Sequence, residues 1–243
     1  MPQPTSSLLT EPAGNRSETV ATDLEGTLSS GVAWEGMRDY LMANGRDQAF
    51  KRFFLRQMPR YALFKLGIVN RDQMKEAWIL GLLKLFKGIE PQQMSEMGQF
   101  VVEETLWPTR RKALLAELEA HRDQGRRVII TTGQIEPILA EFLQKLDGYE
   151  GLGTAVTFED GRFSGKVAGN LLQGSLKANA LQPFARDGRI YAAYGDTTTD
   201  IPMLSMSARP VAVDPDPDLR LHAQQQGWRI LEAAPLETDL EDH

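Results

Sequence analysis

Four short apolar runs in this chain each stop abruptly at small or charged residues. Thr19-Val20-Ala21-Thr22 runs into Asp23, and Val128-Ile129-Ile130-Thr131 runs into Thr132-Gly133. Ile190-Tyr191-Ala192-Ala193-Tyr194 runs into Gly195-Asp196, and Pro210-Val211-Ala212-Val213 into Asp214-Pro215. Runs of this length bounded by turn residues fit strands buried on both faces of a parallel sheet. Helical patterns lie between them. Leu114, Leu115 and Leu118 recur at helical spacing, with Gly125 where a helix would close, and Ile135 to Leu146 repeats the pattern. The alternation predicts an α/β fold with a doubly wound, Rossmann-like parallel sheet. Ligands of such sheets bind beyond the carboxyl ends of the strands. The polar residues that end the runs are therefore expected to converge on one crevice.

The pattern is interrupted. Residues 32–107 read as almost wholly helical and follow the first strand, which predicts an inserted α-helical cap domain. The core domain is then 18–31 together with 108–231. A smaller insertion is a hairpin: Val156 to Glu159, an Asp160-Gly161 turn, then Arg162-Phe163. Residues 1–17 and 232–243 read as flexible tails, the second one acidic.

Composition narrows the chemistry. No cysteine is present and only three histidines, so disulfides and thiolate metal sites are excluded and a zinc site is disfavoured. Any metal should be hard and oxygen-ligated. A net charge of −6 argues against a nucleic-acid partner. No apolar run approaches the roughly 20 residues that span a bilayer, and the first 17 lack an apolar signal core. The expected location is cytoplasmic.

Four places carry candidate chemistry. Asp23 and Glu25 are two apart, so in extended backbone they face one site, as a nucleophile or metal ligand and an acid/base would. Gly26 would let a substrate approach the backbone. Thr132 and Gly133 offer a hydroxyl and an amide to a phosphate at a helix start, or Thr132 is a plain N-cap. Lys177 opens a helix against its dipole, which suggests an anion partner; the alternative is a solvated surface lysine. Asp196 and Asp200 flank a strand-to-helix turn, and Asp23 with Asp196 would offer oxygens to a hard divalent cation. Asp200 could instead be a helix N-terminal charge.

In this order and context the four places resemble the motifs of the haloacid dehalogenase-like (HAD) superfamily. The cap position, the hairpin before Lys177 and the run Gly195-Asp196 to Asp200-Ile201-Pro202-Met203-Leu204 are similar to its phosphoserine-phosphatase-like branch, subfamily IB. The resemblance implies that Asp23 attacks phosphorus and forms an aspartyl phosphate. Glu25 would protonate the leaving oxygen and then activate water. Thr132, Gly133 and Lys177 would bind the phosphoryl group. Mg2+ would be held by Asp23, the backbone carbonyl of Glu25 and Asp196, with Asp200 in support. The expected activity is hydrolysis of a small-molecule phosphate monoester. A phosphotransferase on the same site and a catalytically weak binding domain stay open. Two departures stand out: Glu25 replaces the branch's usual Asp, and Val32 stands where a phosphoserine phosphatase would carry Glu, with Glu35 the nearest candidate.

Within the cap, Phe50 to Leu66 holds Lys51, Arg52, Arg56, Arg60 and Lys65, interleaved with aromatics and with no acidic residue. One expectation is a rim that selects an organic phosphate with an apolar part, or a weak contact with a membrane surface or lipid phosphate. The other is an ordinary cap helix whose aromatics form its core and whose basic stems lie along it.

Overall fold

The apolar runs pair side by side. In the computed structural model, which describes residues 8, 18–68 and 70–232, the strands are β1 (Thr19–Thr22), β2 (Arg127–Ile135) and β3 (Glu150–Thr154). A separate hairpin of β4 (Val156–Glu159) and β5 (Arg162–Val167) follows, then β6 (Ile190–Gly195), β7 (Ser207–Val213) and β8 (Arg229–Leu231). Apart from Leu8 and Glu232, the expected tails lie outside the described residues. The six sheet strands run parallel in the order β3-β2-β1-β6-β7-β8. All four residues of β1 are buried, as a strand covered on both faces requires. The order reverses between β1 and β6, so this is the switch point where a doubly wound sheet opens a crevice. Thr22 lies opposite Ile130 on one side and Tyr194 on the other. β1 and β6 therefore end at one level, beside the Thr131–Thr132 segment of β2.

The helices are α1 (Ala33–Ala43), α2 (Asp47–Lys65), α3 (Arg71–Leu83), α4 (Pro91–Val101), α5 (Lys112–Asp123), α6 (Glu136–Leu143), α7 (Ser175–Leu181), α8 (Ile201–Ser205) and α9 (Pro217–Gln226). Helices α1 to α4 occupy the insertion after β1. One continuous apolar cluster joins them to the sheet, from Val20 and Ile130 through Ile138 and Phe142 to Met97, Met37 and Phe86. At Gly98 in α4 an added Cβ would lie 2.7 Å from the Pro137 carbonyl oxygen, so α4 and α6 approach too closely for any side chain there. The hairpin turns at Asp160 and Gly161, both at positive φ (51° and 74°), as the Asp-Gly pair predicts. It clips the insertion through two backbone bonds, Gly88 N–H to Phe163 O (2.8 Å) and Phe163 N–H to Ile89 O (2.9 Å). No helix of the described residues is long and apolar enough to cross a membrane.

Two local expectations need correction. Thr132 is not a helix N-cap: β2 continues to Ile135, its register with β3 breaks between Thr131 and Ile135, and α6 starts only at Glu136. The irregularity absorbs the polar residues inside the strand instead of ending it. Nor do Asp23 and Glu25 face one site through strand alternation. β1 stops at Thr22, and a turn closed by Leu28 N–H to Leu24 O (2.9 Å) and Gly26 N–H to Ser29 O (2.7 Å) carries Glu25.

Candidate active site

Asp23 follows the central strand, and its backbone N–H still donates to Tyr194 O at 3.0 Å. Its carboxylate Oδ1 lies 2.8 Å from Lys177 Nζ, which lies 2.6 Å from Asp200 Oδ1. Lys177 is 3% exposed, so the surface-lysine reading fails. A buried ammonium persists only when paired, and here two carboxylates pair it. Burial opposes its charge, but Asp200 and Asp23 outweigh burial and hold it above the usual lysine range. Burial pushes the Asp23 carboxyl up; Lys177 pulls it back and Asp200 pushes it further.

Asp200 is fully buried. Its Oδ2 accepts from Asp196 N–H (3.3 Å), Thr197 N–H (3.2 Å) and the Thr197 hydroxyl (3.3 Å). With Lys177 on the other oxygen, this carboxylate is largely committed to holding the loop after β6. It is more than a helix-end charge. Asp196 is freer. It accepts from the Thr27 hydroxyl at 2.8 Å, and ligand oxygens of Asp23, Asp196 and Asp200 lie within 4.8 Å of one another. Burial, then the charges of Asp23 and Asp200, raise the Asp196 carboxyl to about 8. Crowded carboxylates of this kind fit a hard divalent cation, which would supply further positive charge.

Gly26 serves a different purpose from the one expected. It has φ +94°, and an added Cβ would lie 2.0 Å from Asp196 Oδ2. The group that comes close to its backbone is the Asp196 carboxylate. Gly26→Ala should therefore displace Asp196 and strain the turn. We expect divalent-cation affinity to fall at least roughly tenfold and turnover about a hundredfold, as for ångström-scale misplacement. Calorimetric metal titration checks this; unchanged affinity would detach Gly26 from the cation site.

The Asp196 shift also predicts a pH dependence. Its carboxyl rises from 3.8 to about 8 on folding, so the metal-free fold favours the protonated form. That contribution is present at low pH and is lost as pH climbs through about 8. A bound cation reverses the preference, because it needs the ionised form. The rise in melting temperature on adding Mg2+ should therefore be larger at pH 8 than at pH 5.5, which scanning calorimetry would read. An equal rise at both would remove Asp196 from the cation site.

Glu25 stands apart from the three aspartates. Its Oε2 accepts from the Ala33 N–H at the start of α1 (3.0 Å) and from Gln134 Nε2 (2.6 Å). Burial pushes its carboxyl up, while Lys75 and the Ala33 N–H oppose the rise. The Glu25 carboxylate thus bridges from the turn after β1 to the start of α1. Thr132 is buried, and its Oγ1 accepts from the Gln134 N–H at 3.2 Å. The Gly133 carbonyl accepts from the Thr154 hydroxyl at 2.8 Å.

Asp23, Glu25, Thr132, Gly133 and Lys177 line one cavity of about 50 Å³, room for only a few water molecules. Asp196 and Asp200 adjoin it through the carboxylate cluster. Sequence reasoning missed three contributors. Lys75 and Ile79, one turn apart on α3, wall the cavity. Helical spacing shows that Lys75 and Ile79 share a face, but offers no reason to prefer Lys75 over Lys84 or Lys87. The third is Arg111, whose Nη1 donates to Gly26 O (2.6 Å) and Thr27 O (3.0 Å) and whose Nη2 meets Asp214 Oδ2 at 3.0 Å. It braces the turn that carries Glu25 and Gly26. No residue of α2 lines the cavity, and neither Val32 nor Glu35 does.

The family model described as haloacid dehalogenase-like hydrolase matches residues 20–205. Phosphoserine phosphatase SerB1 of Mycobacterium tuberculosis is 29% identical over 181 residues, covering 70% of this chain and 57% of that protein. The chain thus spans little more than half the length of this relative. A crystal structure of a Bordetella pertussis protein of unknown function superposes with a TM-score of 0.72 at 22% identity, covering 90% of this chain and all of that one. A phospho-aspartyl intermediate analogue of phosphoserine phosphatase superposes with a TM-score of 0.60 at 16% identity, covering 90% of this chain and 95% of that one. These two show the shared fold.

Proposed function

The chain belongs to the haloacid dehalogenase-like hydrolase family, and from that premise we propose that it is a Mg2+-dependent phosphatase. It hydrolyses a small organic phosphate monoester through an aspartyl phosphate on Asp23. The observation that carries this reading is the Asp23 carboxylate 2.8 Å from a buried Lys177, in a cavity that Glu25 also lines.

In the first step an Asp23 oxygen attacks phosphorus and the bond to the leaving oxygen breaks. Glu25 gives that oxygen its proton; its raised carboxyl suits it to carry one. In the second step Glu25 takes a proton from water as the water oxygen attacks phosphorus. Inorganic phosphate leaves and the Asp23 carboxylate is regenerated. The Lys177 ammonium, the Thr132 hydroxyl and the Gly133 amide hold the phosphoryl oxygens and offset their charge. Asp23, Asp196 and the Glu25 backbone carbonyl would hold Mg2+, with Asp200 in support, and the ion would supply further positive charge against the phosphoryl group. Lys75 adds a cation from the cap.

Lys75 and Ile79 of α3 narrow the cavity beside Asp23 and Lys177, so outward movement of α3 would widen it for an organic phosphate. The substrate is left as a class. The glutamate that the resemblance associates with phosphoserine is Val32 here, and the nearest substitute, Glu35, does not line the cavity.

Release of inorganic phosphate from para-nitrophenyl phosphate, with Mg2+ and with a chelator, tests the proposal. We expect turnover with the ion and none with the chelator. Absence of turnover with any divalent ion would overturn it, and product formed only with an added alcohol acceptor would convert it to phosphotransfer.

A further inference from the structure

Helix α2 is attached to the molecule by one narrow face. Phe53 is its one fully buried residue, packed 5.0 Å from the Trp78 ring of α3, with Phe50 6.0 Å behind it. The opposite face is bare of described residues. Of the eleven large apolar side chains exposed among the described residues, seven lie between Phe54 and Ile68. The reading in which this helix's aromatics pack inward therefore holds for Phe50, Phe53 and Phe54, which meet one another and Trp78, and not for the outward apolar residues.

The exposed apolar residues follow a pattern. Leu55 and Leu66, about three turns apart, share one outward face with Met58 at its edge, whereas Phe54 turns back toward α3, its ring 6.0 Å from that of Trp78. Leu55 is 68% and Leu66 72% exposed. Arg52 and Arg56, four residues apart, border the Leu55–Leu66 face along one side. Arg52 and Arg56 form no ion pair with any described residue. Lys65 lies over the Tyr61 ring at 5.5 Å, and Lys51 is partly offset by Asp47 at 3.2 Å. Between Phe50 and Ile68 there are five basic and no acidic residues, in a chain whose net charge is −6.

We propose that this face of α2 docks on an anionic lipid bilayer, with the apolar residues at the headgroup–acyl boundary and the arginines against lipid phosphates. An apolar face bordered by cations, on a helix too polar to span, is the pattern of an interfacial helix. Charge complementarity selects the occupant. A second copy of this chain on this face would bring five basic residues from each copy together with no acidic residue between Phe50 and Ile68 to offset them. An anionic bilayer meets both the apolar face and the cations at once. Docking here would also rest α2, and through Phe53 and Trp78 the cavity-lining α3, against the membrane surface.

The test is co-sedimentation of the full chain with vesicles of phosphatidylcholine alone or mixed with phosphatidylglycerol, at low and high salt. Binding to the mixed vesicles, weakened by salt, is expected. The double variant Arg52→Glu/Arg56→Glu should bind at least roughly 25-fold more weakly, about fivefold for each basic residue removed. Leu55→Ser/Leu66→Ser should also lose binding. Both variants should keep the parent's circular-dichroism melting curve, because these side chains contact no core.

No binding to mixed vesicles, equal binding to both kinds, or full binding by the charge-reversed variant would each overturn the proposal. A dimer seen by light scattering, broken by Leu55→Ser/Leu66→Ser and with no vesicle binding, would overturn it in favour of a second copy. None of these readouts depends on phosphate release.

Discussion

Asp23→Asn should reduce phosphate release roughly ten-thousandfold or more while the protein stays folded. No neighbouring carboxylate is placed to replace it as nucleophile: Glu25 is held by the Ala33 N–H and Gln134, Asp200 is taken up by Lys177 and the loop after β6, and Asp196 does not line the cavity. Loss of a nucleophile costs on this scale, with only residual catalysis from binding and positioning. The fold should tolerate the change because the native environment already disfavours the ionised form of Asp23, chiefly through burial. An amide of the same shape removes that penalty, and Lys177 keeps Asp200 at 2.6 Å. Two measurements suffice. Single-turnover assays should lose the burst of product, and mass spectrometry should lose the phospho-enzyme at Asp23. Activity above about a hundredth of the parent would remove Asp23 from the nucleophile role.

Lys177→Met should produce the largest loss of stability of any single change at the site. Methionine fills similar space but leaves Asp23, Asp196 and Asp200 without their buried cation. Breaking a buried pair by removing one partner costs about 3–5 kcal/mol. For a chain of this size that lowers the melting temperature by very roughly 10 °C. The loss should be partly restored by Mg2+, because a divalent ion bound among the same carboxylates replaces the missing charge. Thermal melts of parent and variant, each with and without Mg2+, separate the two effects. An unchanged metal-free melting temperature would mean that the lysine does not neutralise the cluster. Loss that Mg2+ does not touch would separate the lysine from the cation site.

Much of the site was legible because parallel sheets place strand ends on one edge. Asp23 and Asp196 follow the buried runs of β1 and β6, which pair as neighbours, so their convergence is a consequence of topology. The Asp160-Gly161 turn was legible for a local reason: both residues take positive φ. Thr132 was misread because a strand that continues through a register break has the same composition as a strand that ends. Gly26 was misread because a glycine reports only that something approaches; here the intruder is Asp196, 170 residues along the chain.

The amino-acid sequence alone determined the parallel α/β core, the helical insertion after the first strand and the identity of the charged groups at the crevice. These follow from periodicity and from local backbone chemistry, which act over a few residues. Only the tertiary structure decided which charges are shared. Lys177 joins Asp23 and Asp200, Gly26 yields its space to Asp196, and Lys75 reaches the cavity from α3. It also decided that most of α2's apolar residues face outward, with Phe53 alone fully inside. Burial and charge pairing depend on which distant segments meet in space, and periodicity along the chain carries no record of that partner.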